Sequence, residues 1–215
     1  YWIILTLYKK SKFIMKNIVL SFLLLSIVLF SSNNSLAKTN AYEYGDILIG
    51  TGLSFGYFSY YGSYSSASVP LVLSAEYGLR KYFSLGGFLG IQNYKYTGFY
   101  YDGIFAQVPY TYSCSAVSIG LKGSFHVFPF INDRYDARVD DSNMDAYITG
   151  FLGSSFHTYR EVTSTGYAGY NQNMNRLVLG PSLGFRYMFS PQVGAFVELG
   201  VGAFGISTAG VAFDL

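Results

Sequence analysis

The chain has 215 residues, of which 20% are aromatic and only 12% charged, with 24 glycines and a formal net charge of +2. Such a profile is foreign to an ordinary soluble domain, and a near-neutral balance without a basic cluster excludes nucleic-acid binding. A helical membrane bundle is excluded too, because it needs several apolar runs of about 20 residues each, and only one candidate run exists, over residues 18–30.

That run sits where a secretory signal would place it. Met15 and Lys16 give a basic start, residues 18–30 an apolar stretch shorter than a membrane span, and Ser35-Leu36-Ala37 a small-residue cleavage site. Residues 15–37 are therefore expected to be a signal peptide, residues 1–14 an upstream extension without structural role, and residues 38–215 the mature domain, beginning at Lys38. Cys114 is the single cysteine, so no internal disulfide can form, and its place in an alternating segment makes it a packing residue.

After Gly45 the pattern changes to alternation with period 2, the signature of a strand whose two faces differ. Ile47, Ile49, Thr51, Leu53, Phe55 and Tyr57 share one face, and Leu48, Gly50, Gly52, Ser54 and Gly56 the other. The same contrast recurs with Leu71, Leu73 and Tyr77 against Val72, Ser74 and Glu76; Leu85, Leu89 and Ile91 against Ser84, Gly86 and Gly90; and Val117, Ile119 and Leu121 against Ser118, Gly120 and Lys122. Residues 146–157 are ambiguous in parity, and Ala146, Ile148 and Leu152 are assigned to the oily face over Tyr147, Thr149 and Phe151. Leu177, Leu179, Leu183 and Phe185 then oppose Val178, Gly180, Ser182 and Arg186; Val193, Val197, Leu199 and Val201 oppose Gly194 and Glu198; and Val211, Phe213 and Leu215 oppose Gly210, Ala212 and Asp214. Eight strands are expected, near 47–58, 69–80, 83–94, 112–127, 146–157, 175–188, 193–201 and 206–215.

A soluble barrel hides its large apolar side chains inside. Here the face opposite the Leu, Ile and Val set is mostly glycine, serine and an occasional charge, too small and polar for an oily core, so the apolar set must face lipid. The expected fold is all-β: an eight-stranded antiparallel up-and-down transmembrane β-barrel, whose narrow interior is filled by side chains and leaves no wide pore. Aromatic girdles are expected from Tyr82, Phe83, Phe128, Phe130, Tyr187 and Phe189 at one edge and from Tyr57, Tyr94, Tyr96 and Tyr112 at the other. Outer connections are expected at 59–68, 95–111, 158–174 and 202–205, and inner ones at Lys81-Tyr82, 128–145 and Ser190-Pro191-Gln192. Four inner-face charges, Glu76, Lys122, Arg186 and Glu198, come from four strands at similar heights, so they are expected to form one mutually satisfied structural cluster that plugs the lumen.

Chemistry is hard to find in the rest. His126 and His157 fall near opposite rims and cannot share a site, so no catalytic residue is assigned and no enzyme is expected. Asp141, Asn143 and Asp145 open like a calcium loop, yet no glycine follows at the turn and Leu152 occupies the position of the bidentate glutamate. Gly50-Thr51-Gly52 precedes no helix, so it is not a nucleotide loop, and no cofactor or metal is expected.

Several stretches resemble the small OmpA/OmpX-like β-barrels, and in particular the outer-membrane β-barrel domain proteins of the Bacteroidetes group. They are Leu73-Ser74-Ala75-Glu76-Tyr77-Gly78-Leu79, Gly120-Leu121-Lys122-Gly123-Ser124-Phe125-His126, Asp145-Ala146-Tyr147, residues 180–187, and Phe196-Val197-Glu198-Leu199-Gly200. The resemblance implies a bacterial outer-membrane location, outer-membrane lipid and the β-barrel assembly machinery as partners, and a C-terminal assembly signal at Phe213 and Leu215. The function expected on this basis is that of a monomeric barrel with a structural or surface-interaction role, its outer loops open to an unidentified ligand. The alternative is a lipid-modifying enzyme or a narrow porin-like transporter.

Overall fold

The computed structural model describes residues 40–55, 64–102, 106–161 and 171–215. The signal peptide, the upstream extension, the start at Lys38, Tyr57 and the tips of three outer connections lie outside them. The strands are β1 (Ile47–Phe55), β2 (Tyr64–Ala67), β3 (Leu71–Arg80), β4 (Phe83–Asp102), β5 (Ala106–His126), β6 (Met144–Glu161), β7 (Asn171–Ser190), β8 (Val193–Gly200) and β9 (Ser207–Asp214), with one helix among the described residues, α1 (Val127–Tyr135), between β5 and β6. β2 and β3 both pair with β4 and form one barrel strand interrupted at the buried Pro70, which gives eight strands in all.

Every neighbour pair is antiparallel, and β1 pairs with both β3 and β9, from Leu48 opposite Asp214 to Phe55 opposite Ser207, so the sheet closes on itself. Closure satisfies the backbone within the ring, which an environment without water demands. The side chains complete the inversion. Ile119, Leu121, Leu152, Leu183 and Leu199 are each more than half exposed on the outside, whereas Ser54, Ser118, Thr149 and Asp145 are buried inside. This is an outer-membrane type of β-barrel, oily outside and largely polar within. In β6, Ile148 and Leu152 point outward and Tyr147, Thr149 and Phe151 inward.

Four expectations need correction. The outer connection at 95–111 is largely strand, because β4 and β5 stay paired up to Asp102 and Ala106, and strand runs into both ends of the one at 158–174, where β6 and β7 stay paired up to Arg160 and Asn171. Tyr and Thr suit a pleated ribbon whether or not lipid flanks it, so the ladder outruns the apolar belt. Tyr94 does not join an outer girdle: it follows the lumen parity of Phe88 and Gln92, and its hydroxyl lies 3.1 Å from that of Tyr159. Phe128 and Phe130, expected in the inner girdle, stand not on a strand end but on a helix, α1, in the stretch expected to be an inner connection. Finally, Val201 does not extend the lipid-facing row of β8. Gly200 takes a positive φ of 144°, open to glycine at little strain, and turns the chain inward, so that Val201 packs against Gly180.

Residues 201–205 turn into the lumen. Ala203 joins Val72, Phe88, Phe151 and Val178 in an apolar cluster, with Phe204 packed against it. The segment is pinned by Val201 N–H to the Pro181 carbonyl (2.9 Å), Ser118 hydroxyl to the Ala203 carbonyl (3.2 Å) and Ile206 N–H to the Phe55 carbonyl (3.1 Å).

Candidate functional site

The densest chemistry lies in the inner half of the lumen, below the apolar cluster. Lys122 of β5 reaches across the barrel, with its ammonium 2.6 Å from Glu198 of β8 and 3.1 Å from Glu76 of β3. All three are nearly fully buried. Two carboxylates around one ammonium would be unstable in so dry a place without further donors. Those donors are present: Ser84 (2.9 Å) and Ser124 (2.5 Å) donate to Glu76, and Tyr147 (3.0 Å) donates to Glu198.

Arg186, the fourth charge read from the sequence, makes its ion pair elsewhere. Its guanidinium donates at 2.5 Å to Asp145, the first inward residue of β6, which also accepts from His126 Nδ1 at 2.9 Å. Asp145 was missed because the expected strand began at 146, which left it inside a connection. The two groups of charges are joined through Ser84, whose hydroxyl lies 3.1 Å from His126 Nε2 and donates to Glu76. A cavity of about 20 Å³, touched by Glu76, Lys122, Tyr147, Arg186 and Glu198, is the room left between them. By volume it accommodates about one water.

Ser84, His126 and Asp145 stand in the order of a Ser-His-acid triad, but the arrangement does not suit one. The single hydroxyl hydrogen of Ser84 goes to the Glu76 carboxylate rather than to the imidazole, so the serine is not set to give its proton to His126 as a triad nucleophile must. Ser84 and His126 are 3% and 1% exposed. Tyr42, from the segment preceding β1, lies flat on the imidazole with centroids 3.4 Å apart. Its hydroxyl is 2.7 Å from the carbonyl oxygens of Arg80 and Phe83. Burial, reinforced by Asp46 nearby, pushes that phenol above the ordinary tyrosine range, so it remains a neutral donor.

His157, in the outer half, contacts Ser155 (2.9 Å) and faces the Cys114 sulfur at 4.0 Å, well apart from the inner network in the chain's pairing. Phe213 and Leu215 lie on the outward parity of β9, with Leu215 about half exposed. Among the described residues no group of three or more His, Cys, Asp or Glu side chains is placed to hold a metal ion.

No family model matches the chain, and no curated protein matches it. Solved structures similar to it include the N-terminal β-barrel domain of Pseudomonas aeruginosa OprF, with 15% identity and a TM-score of 0.42 over 80% of this chain and 98% of that one. The outer membrane protein OprG of Pseudomonas aeruginosa is similar at 12% identity and a TM-score of 0.49, over 84% of this chain and 99% of that one. Ail, the attachment invasion locus protein of Yersinia pestis, is similar at 12% identity and a TM-score of 0.42, over 80% of this chain and 96% of that one, in its complex with the heparin analogue sucrose octasulfate.

Proposed function

We propose that this protein, an eight-stranded barrel of the outer-membrane type, is a sealed, non-catalytic scaffold that holds contact segments at the surface of the bacterial outer membrane. One observation supports the reading: side chains meet one another at three successive levels of the lumen. Tyr42 stacks on His126 at the inner end, the network around Lys122 and Asp145 spans the next level, and Val72, Phe88, Phe151, Val178 and Phe204 occupy the level beyond. A permeating ion would have to displace the charged side chains from one another and then cross an apolar layer, each step costly in a low dielectric.

What remains free to act is the outer surface. The β4–β5 hairpin carries a tyrosine-rich sequence above the apolar belt, and tyrosine offers large amphipathic contact area at small entropic cost. On the same reading the protein is monomeric, surrounded by outer-membrane lipid, and delivered by the barrel assembly machinery through Phe213 and Leu215.

Planar-bilayer recording on the purified protein tests the sealed lumen. The expected result is a baseline without discrete openings at any voltage the bilayer tolerates. Unitary steps whose size follows salt concentration would overturn the proposal in favour of a narrow transporter.

A further inference from the structure

The inner connection between β5 and β6 breaks the rule of short turns on that side, and nothing in the sealed-scaffold reading requires α1. The helix spans nine residues, about 13 Å. It is sharply ended: Asp136 adopts a left-handed φ of 48° with its N–H on the Asn132 carbonyl, and the Asn132 side chain clamps both backbone groups of Val139 at 2.8 Å. A segment folded this firmly has a fixed face to present.

Its faces differ. Pro129, Asn132 and Asp133 line a cavity of about 360 Å³ under the barrel mouth, shared with Tyr42 and Lys81. Asp133 is tied to the β3–β4 turn, accepting from Lys81 at 2.6 Å and from the Tyr82 hydroxyl. Beside that cavity face, Phe130 meets Tyr82 at 5.6 Å and Phe125 at 5.3 Å, both edge-on, and Phe125 packs at 5.0 Å on Phe83, an exposed member of the outward belt. Phe130 also contacts Tyr135, which is 70% exposed. The rings form an unbroken row from the lipid-facing wall onto the helix that ends at Tyr135, and Phe128, Ile131 and Tyr135, spaced three and four residues apart, share one helix face, which the row reaches at Tyr135.

We propose that α1 is an interfacial helix that rests on the phospholipid of the inner leaflet, with Phe128, Ile131 and Tyr135 dipping into the boundary between headgroups and acyl chains. The occupant follows from continuity: the row of rings extends a surface that already faces lipid, and aromatic residues favour that depth. The exposed charges of the connection are of both signs, Arg134 and Arg138 beside Asp133, Asp136 and Asp140, with Asp133 paired to Lys81 and Asp136 to Arg138, so they offer a protein partner no single-signed patch; on this reading Asp140 stays on the water side. The proposal rests on the membrane-embedded reading of the barrel.

The test uses the full chain with Cys114→Ala, reconstituted in phosphatidylethanolamine–phosphatidylglycerol vesicles and labelled at single cysteines with an environment-sensitive fluorophore. Labels at Tyr135→Cys and Ile131→Cys are compared with a belt position, Leu85→Cys, and a water-side position, Asp140→Cys, each variant first checked for the heat-modifiable gel mobility of a closed barrel. Phospholipid carrying a nitroxide just below the headgroup should remove most of the emission at Tyr135, Ile131 and Leu85 and little at Asp140. Quenching at Leu85 with none at either helix position overturns the interfacial helix alone, whereas no quenching at Leu85 overturns the embedded barrel with it. Equal quenching at Asp140 and Tyr135 also overturns the proposal, since it would mean that the whole connection sinks without a preferred face. Because Tyr135 is largely exposed, its variant keeps the test open should Ile131→Cys fail to fold.

Discussion

Lys122 is the residue on which the inner network turns, since it is the cation within reach of both Glu76 and Glu198. Lys122→Met should leave two buried carboxylates facing each other and lower stability by about 3–5 kcal/mol, read from urea unfolding in lipid vesicles. Glu198→Ala should lose less, because Glu76 remains beside the ammonium at 3.1 Å; an equal loss in the two variants would mean that the carboxylates are not sharing one partner. A second pair of substitutions probes the packing around Tyr147, whose ring lies where a side chain on Gly184 would go. Gly184→Ala should destabilise by about 1–3 kcal/mol through overpacking. Gly150→Ala on the neighbouring strand meets nothing within 4 Å and should change stability by less than about 0.5 kcal/mol in the same assay. At this scale the sequence was half readable. Parity alone turned Glu76, Lys122, Arg186 and Glu198 inward, but pairing depends on where each strand starts, and Asp145 became visible as a partner only once β6 was known to begin at Met144.

The strands were legible wherever one face is oily and the other small, because a slip of one residue would exchange the two. Past the belt that contrast fades, and so the sequence marked the end of the lipid contact in β4 and β5 rather than the end of the ladder. α1 was illegible for another reason: nine residues with Pro129 inside and no side-chain cap at His126 carry little helical signal, and the helix is held by tertiary contacts. One of those contacts is titratable. Hydrogen bonds from Lys81 and then Tyr82 hold the Asp133 carboxyl below the usual carboxylate range. A depressed carboxyl stabilises the fold above its unfolded pKa of about 3.9 and ceases to do so as pH falls through the lowered folded value. Amide exchange over residues 127–135, corrected for intrinsic rates, should therefore accelerate at that acid limit while β5 and β6 remain protected. Asp133→Asn should produce the same local loosening at neutral pH, and unchanged exchange in that variant would contradict the tether.

For the molecule as a whole, the governing fact is depth in the bilayer. Leu121, outward and more than half exposed about five residues inside the inner end of β5 and so about midway across the hydrocarbon for a tilted strand, should tolerate arginine worse than Phe189 at the inner end of β7. Leu121→Arg should cost about 2–4 kcal/mol and Phe189→Arg about 0–1 kcal/mol in vesicle unfolding. Similar costs at both positions would mean that the oily face does not measure membrane depth. The barrel could be read from alternation because alternation is a property of every strand at once, whereas the lumen's apolar layer could not, since Ala203 and Phe204 belong to a connection so short that it resembled a plain turn. The seam between β1 and β9 sets an order of events. Leu48 must find Asp214, and until the strand synthesised late reaches the one synthesised early, both carry unpaired backbone and the charged interior is open at the side. Such a contact spans nearly the whole described chain, and its search is slow because the ends of a long loop must meet before any of the closing bonds form. The barrel is therefore most vulnerable to wrong pairing with another copy just before it closes, and its yield should be limited by the lifetime of that open-sided form rather than by the stability of the finished one.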